Sequence, residues 1–204
     1  MKSSSALTEP DRQPASSVLV DAAWLEARLH DPAVRVVEVD VSRRDEGHPV
    51  SSQPSEPAVA GYVLPGPDPR VRAGHAAVRD AIGRPGRTLL DVRSRDEYRG
   101  ERFWPSGGLE PGGQAGHVPS AVHQPIDGLY DERGAFADVA ALRGVFSAVD
   151  PDSADELITY CTIGGRACTA WFVLTYLLGR EGVRVYDGSW AEWGRMPGAP
   201  VEQA

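Results

Sequence analysis

An apolar strand, a short glycine-containing loop and an apolar helix follow one another over residues 156–178, and this succession constrains the fold most. The strand ELITY leads directly into Cys161, and the loop that follows reads CTIGGR. The next helix is apolar on nearly all sides, as expected when a helix packs closely on a sheet. A cysteine between a strand end and a helix start meets backbone N–H groups and the helix dipole. Both stabilise a thiolate.

Strands and helices alternate through the second part of the chain. The apolar runs TLLDV, ELITYC and VRVYDG predict strands, and the stretches ALRGVFSAV and GRACTAWFVLTYLLG predict helices. A further helix is predicted over residues 71–83, with Gly83 ending it, and Ser94 with Glu97 predicts a capping box. This alternation predicts an α/β domain with a mainly parallel sheet flanked by helices.

The composition excludes several classes of function. The chain carries 21 basic and 29 acidic residues, a net charge of −8, and no basic run is longer than two residues. Nucleic acid and membrane surfaces are therefore not expected partners. Lys2 is the only lysine, which leaves arginine and protonated histidine as the cations of the folded part. No run is long and apolar enough for a membrane span or a secretory signal, so we expect a cytoplasmic, reducing environment.

The second cysteine, Cys168, is expected to be a small helix residue that faces the core. A disulfide with Cys161 along one loop and helix would strain the bond geometry. The cysteines and histidines show no spacing typical of metal ligands. We therefore predict no metal and no cofactor.

The chain divides into four predicted segments. Residues 1–17 are polar and rich in serine, which predicts disorder, and residues 49–69 are a linker rich in proline, glycine and serine. Between them, residues 18–48 contain a helix capped by Asp21 and a strand over 34–41. The run DVSRRDEGH that ends this segment is similar to DVRSRDE at residues 91–97. We interpret the segment as an incomplete copy of the module over residues 70–200.

Four motifs of the larger module resemble the rhodanese family of sulfurtransferases, in particular its tandem-domain thiosulfate and 3-mercaptopyruvate enzymes. In chain order they are LLDVRSRDEY, GHVPSAV, YCTIGGRA and VYDGSWAEW. The resemblance implies a catalytic rhodanese-like domain over residues 70–200. It also implies that residues 18–48 are a truncated, non-catalytic β-α-β half-module of the same kind.

The resemblance further implies a two-step reaction at Cys161. The cysteine takes a sulfane sulfur from thiosulfate or 3-mercaptopyruvate as a persulfide, and then passes it to cyanide or a thiol. The partners would thus be a small anionic sulfur donor and a thiol or cyanide acceptor. The oligomeric state stays open, with a homodimer among the alternatives.

The predicted substrate-binding residues lie in the loop and at the edge of the sheet. They are Arg93, Thr162, Ile163, Gly164, Gly165 and Arg166. Arg93 is expected to contact the donor's anionic head; the alternative is a surface arginine that pairs with Glu97. Arg166 either faces the anion or holds the loop from outside. Asp91 would support the site by orienting Arg93 or the loop, and Trp190 would form its wall.

Three alternatives remain open from the sequence. Thr162 stands where many thiosulfate enzymes of the family carry a basic residue, so the donor is undecided. A catalytically weak or inactive rhodanese-like module with a binding or regulatory role is a second interpretation. A cysteine phosphatase is a third, although its loop needs one residue more than the four that separate Cys161 from Arg166.

Overall fold

The structure is a computed structural model that describes residues 19–34, 66–150, 153 and 155–203. The described residues belong to two compact units, a larger one that contains residues 67–203 with their gaps and a smaller one that contains residues 19–34 and Gly66. The predicted disorder of residues 1–17 lies outside the described residues, as do nearly all of the strand predicted over 34–41 and most of the predicted linker. The interpretation of residues 18–48 as a half-module therefore stays a prediction.

The described part of the smaller unit contains one short helix, α1 (Ala22–Glu26). Its N-cap is Asp21, whose Oδ1 accepts a hydrogen bond from the Trp24 N–H at 2.7 Å. This contact confirms the predicted cap, which satisfies one of the backbone donors that a helix start leaves free. The Arg28 guanidinium lies 4.4 Å from the centre of the Trp24 ring.

The larger unit alternates strands and helices, as predicted. In chain order the elements are α2 (His75–Ala81), β1 (Arg87–Asp91), α3 (Arg95–Tyr98), β2 (Val122–His123), α4 (Val139–Val145), β3 (Glu156–Tyr160), α5 (Gly165–Phe172), a π-helical turn (Val173–Leu177), β4 (Val183–Val185) and α6 (Ser189–Trp193). Helix α6 spans only five residues and was not among the predicted helices. None of the described helices is long and apolar enough to cross a membrane.

The four strands form one parallel sheet in the order β2-β1-β3-β4. In its centre Leu89 of β1 pairs with Ile158 of β3, and Leu157 of β3 pairs with Val183 of β4. The predicted α/β fold is therefore confirmed. Because the strands are parallel, the residues that follow β1, β3 and β4 meet at one edge of the sheet, where open α/β sheets bind ligands.

Neighbouring residues of a strand point to opposite faces of the sheet, and both faces are buried. Leu90 and Leu157 pack with α4 and α5 in one cluster, while Leu89 and Ile158 pack with α2 and α6 in the other. These strand side chains are at most 1% exposed, and burying each contributes about 1.5–3 kcal/mol. Because both faces of the sheet are packed, the carboxyl end of β3 is held in place, and the loop at Cys161 begins there.

Candidate active site around Cys161

Cys161 directly follows β3, and α5 begins four residues later at Gly165. The side chain is nearly completely buried, and its Sγ accepts a hydrogen bond from the Gly164 N–H at 3.2 Å. The sulfur thus lies inside the loop, beside a backbone donor at the start of α5. Backbone N–H groups at a helix start are donors that bind anions in many proteins.

Gly164 owes its identity to a close approach of two backbones. Its φ is +92°, and a Cβ at this position would lie 2.8 Å from the carbonyl oxygen of Asp187. A Cβ at Gly165, by contrast, would meet no atom within 4 Å. Only the first of the two glycines is therefore required by the geometry of the loop.

Replacing Gly164 by alanine should disturb the loop, whereas replacing Gly165 should not. Gly164→Ala combines a positive φ with a backbone clash, and we expect a loss of about 1–3 kcal/mol in the free energy of unfolding. Because the same peptide donates to Cys161, the reactivity of the thiol should also fall. Urea unfolding and the rate of thiol alkylation test both effects. Equal values for the two alanine variants would contradict this account.

Helix α6 holds the loop from the side of β4. The Ser189 hydroxyl accepts from the Cys161 N–H at 3.1 Å and donates to the carbonyl of Tyr186 at 2.8 Å. The backbone N–H of Trp190 donates to the carbonyl of Cys161, and that of Ala191 to the carbonyl of Thr162. The motif that begins α6 therefore contributes backbone contacts to the loop, which the sequence pattern did not reveal.

Glu97 is the functional residue whose place at this site the sequence analysis missed. Its predicted capping box with Ser94 is confirmed, but its buried carboxylate also reaches across to the loop. It accepts two hydrogen bonds from Arg166, at 2.7 and 2.9 Å, and one from the Thr162 hydroxyl at 2.5 Å. Burial alone would raise the pKa of Glu97, but these contacts outweigh it and lower the pKa to about 2. The signal that could have revealed this second role is the position of Glu97, the third residue of a helix that follows a central strand.

Arg166 pins the loop to α3, the second of the two roles that the sequence left open. Both terminal nitrogens bond to Glu97, and Nη2 also donates to the Thr162 hydroxyl at 2.9 Å. Burial alone would lower the pKa of Arg166, but Glu97 outweighs it and raises the pKa. Cys161 contributes to this rise to a smaller extent, so the guanidinium and the thiol interact electrostatically.

Ionised Glu97 should make the stability of the protein depend on pH. The folded-state pKa lies below the unfolded value, so its contribution is complete above about pH 5 and is lost as pH falls toward 2. The shift corresponds to about 3 kcal/mol in the free energy of unfolding. In urea unfolding, the deficit of Glu97→Gln relative to the unmodified protein should therefore shrink between pH 7 and pH 3. A deficit that stays constant over this range would contradict the assignment.

Arg93 lies in the interior of the domain. Its side chain is completely buried and forms a bidentate pair with Asp91, with the closest contact at 2.7 Å. Its Nη2 also donates to the carbonyl of Gly116 at 2.8 Å, and its guanidinium lies 4.5 Å from the centre of the Trp190 ring. The alternative surface pairing with Glu97 is wrong. The Nη1 of Arg93 is buried without a hydrogen-bond partner among the described residues, and the predicted contact with the donor stays a prediction. Asp91 orients Arg93, as the sequence analysis proposed.

Ile163 and Cys168 lie on the outside of this site. Ile163 is at the tip of the loop and is 67% exposed. Cys168 is exposed on α5, so its expected place in the core is wrong: Ala167 and Ala170 occupy the inward face of that helix. Cys168 lines an apolar groove of about 540 Å³. The other lining residues are Val71, Arg72, Tyr130, Phe136, Thr169, Trp171, Phe172, Val185 and Asp187.

The fold and the loop together define a class of protein: a parallel α/β domain that presents one buried cysteine at the start of a helix. A model of the rhodanese-like domain matches residues 75–196, and the chain therefore belongs to the rhodanese-like domain family. Within the described residues, no group of three or more histidine, cysteine or acidic side chains is arranged to hold a metal ion.

Two similar proteins are named as sulfurtransferases. A Mycobacterium bovis protein named "Putative thiosulfate sulfurtransferase 1" is 38% identical over 158 residues, which are 77% of this chain and 56% of that protein. A Haloferax volcanii protein named "Putative thiosulfate sulfurtransferase" is 38% identical over 160 residues, covering 78% of this chain and 55% of that protein. The chain thus spans about half the length of the curated relatives it matches.

A solved structure shares the fold. The anaerobic ergothioneine biosynthesis enzyme from Chlorobium limicola, in complex with trimethyl histidine, superposes with a TM-score of 0.57. The match covers 67% of this chain and 32% of that one, at 24% sequence identity. At this identity the likeness supports the fold alone.

Proposed function

We propose that the protein is a sulfurtransferase that carries a sulfane sulfur on Cys161. The observation that carries the proposal is the buried Sγ, 3.2 Å from the Gly164 N–H at the start of α5. Membership of the family and the names of the relatives support the same reaction class. The catalytic domain in this proposal is residues 70–200, and residues 18–48 form a truncated, non-catalytic half-module.

In the first step, the Cys161 thiolate attacks the sulfane sulfur of thiosulfate. A new S–S bond forms, the S–S bond of the donor breaks, and its electron pair leaves with sulfite. The cysteine then carries a persulfide anion. The Gly164 amide and the remaining loop amides, those of Thr162, Ile163 and Gly165, lie around the anionic sulfur in this proposal, and no separate base is needed once the thiol is ionised.

In the second step, cyanide or a thiolate attacks the outer sulfur of the persulfide. Thiocyanate or a new persulfide leaves, and the Cys161 thiolate is restored. With 3-mercaptopyruvate as the alternative donor, the thiolate attacks the thiol sulfur, the C–S bond breaks, and its electron pair leaves with the enolate of pyruvate. The enolate then takes up the proton that the sulfur carried, which gives pyruvate and the persulfide anion. A thiolate that must survive between turnovers favours a reducing compartment such as the cytoplasm.

Formation of thiocyanate from thiosulfate and cyanide tests this function directly. We expect turnover with the full chain, and no release of phosphate from aryl phosphates, because the short loop has too few donors for three phosphoryl oxygens. Silence with both thiosulfate and 3-mercaptopyruvate would instead support the non-catalytic binding or regulatory module. Phosphatase activity that depends on Cys161 would overturn the proposal.

A further inference from the structure

We propose that this site favours a sulfane donor of low charge, a monoanionic thiosulfonate over dianionic thiosulfate, and that Glu97 sets the preference. The inference rests on the proposed function and narrows its substrate class. Each of three arginines around the loop already has a carboxylate partner.

The three ion pairs surround the loop on different sides. Arg166 lies 2.7 Å from Glu97, and buried Arg93 lies 2.7 Å from Asp91. The third pair is Arg72 with Asp187, at 3.0 Å, and the carbonyl of that same aspartate faces Gly164. Each pair sums to zero charge, so none of the three offers the donor an uncompensated cation.

The charge of Arg166 is offset by Glu97. Both of its terminal nitrogens are bound to Glu97, which is only 1% exposed. The carboxylate stays ionised throughout the working range, because its pKa is about 2. Thr162, at the position after the nucleophile, turns its hydroxyl toward the same carboxylate. Besides these paired arginines, the loop offers an anion the dipoles of its backbone N–H groups.

The charge balance of the reaction makes this arrangement selective. A thiolate and thiosulfate bring together charges of −1 and −2, and the persulfide and sulfite that leave carry −1 and −2. With methanethiosulfonate the reactants carry −1 and −1, and so do the persulfide and methanesulfinate. Backbone dipoles without a net cation offset the smaller repulsion more completely. The chain's net charge of −8 adds a repulsive long-range field.

The ionic-strength dependence of kcat/KM tests the proposal on the unmodified protein. Salt screens repulsion as well as attraction, so kcat/KM for thiosulfate should rise about two- to fivefold between about 20 and about 300 mM sodium chloride. The value for methanethiosulfonate should rise less. Each donor's kcat/KM is then divided by the rate constant for the reaction of the same donor with a free thiol. This normalised value should be larger for methanethiosulfonate than for thiosulfate. A fall in kcat/KM for thiosulfate with salt would show an attractive site and overturn the proposal.

Two variants test the effect of charge at the loop, and the first of them assigns the preference to Glu97. Glu97→Gln removes the carboxylate charge beside Arg166, and Ile163→Arg adds a cation at the exposed loop tip without touching that ion pair. Each should raise kcat/KM for thiosulfate about tenfold and turn its salt dependence negative. The matched control is Asp96→Asn, which makes the same charge change in α3 at an exposed partner of Arg102. It should leave both quantities unchanged.

The outcomes separate the two proposals. Thiosulfate kinetics of Glu97→Gln equal to those of the unmodified protein would overturn the role given to the charge of Glu97. If Glu97→Gln fails to fold, Ile163→Arg and the salt dependence of the unmodified protein still decide. Sulfur transfer that proceeds from thiosulfate with an attractive salt dependence would overturn the inference alone. Absence of transfer from both donors would overturn the proposed function and the inference with it.

Discussion

Cys161→Ser is expected to abolish sulfur transfer while leaving the fold intact. A serine hydroxyl is close in size to the thiol, so the buried site keeps its packing, and the free energy of unfolding should change by about 1 kcal/mol or less. The hydroxyl does not ionise at neutral pH and forms no persulfide. Loss of a nucleophile typically costs about 10⁴-fold or more in rate. Thiocyanate formation from thiosulfate and cyanide measures the effect.

Cys168→Ser is the matched control for this variant. The residue lies seven positions further on, is exposed on α5, and makes no contact with the donor in the proposed mechanism. Its serine variant should keep most of the activity. Residual turnover in Cys161→Ser comparable to that of the control would remove Cys161 from the mechanism.

Arg93→Ala is expected to produce the largest loss of stability. The substitution leaves the Asp91 carboxylate buried without its cation, and a buried charge that loses its partner typically costs about 3–5 kcal/mol. Trp190 would also lose the guanidinium that packs against its ring. Urea unfolding gives the change in the free energy of unfolding directly.

Arg102→Ala provides the comparison for that stability loss. Arg102 pairs with Asp96 on the surface, with both side chains nearly half exposed, and such pairs contribute about 1 kcal/mol or less. The two alanine variants should therefore differ by at least about 2 kcal/mol. If Arg93→Ala instead raised KM for thiosulfate with little loss of stability, the result would contradict this structural role and support the donor contact predicted from the sequence.

The sequence predicted the parts of the molecule in which local pattern and tertiary structure agree. Apolar runs identified the central strands, and the strand–loop–helix succession placed Cys161 where the structure has it. Side chains that act on their own backbone neighbours were also predictable, as the Asp21 cap and the Ser94–Glu97 capping box show. Both devices depend on spacings of three residues, which the sequence displays directly.

Contacts between distant segments were not predictable in the same way. Arg93 looked like an edge residue because it follows a strand, but the chain around Gly116 and Trp190 closes over it. Glu97 looked like a local cap, because its second role depends on Arg166, which lies 69 residues further along the chain. A helix of five residues such as α6 is too short to show a periodic pattern, and the outward position of Cys168 depends on the helix phase.

The mass of the protein after incubation with thiosulfate tests the central claim most directly. The intact protein, freed of excess donor, should gain the mass of one sulfur atom, and this mass should return to its original value when cyanide is added. Proteolysis under non-reducing conditions should place the sulfur on the peptide that contains Cys161, and Cys161→Ser should gain nothing. A sulfur found on Cys168, or a protein that gains no mass with thiosulfate alone but still forms thiocyanate when cyanide is then supplied, would contradict a persulfide on Cys161.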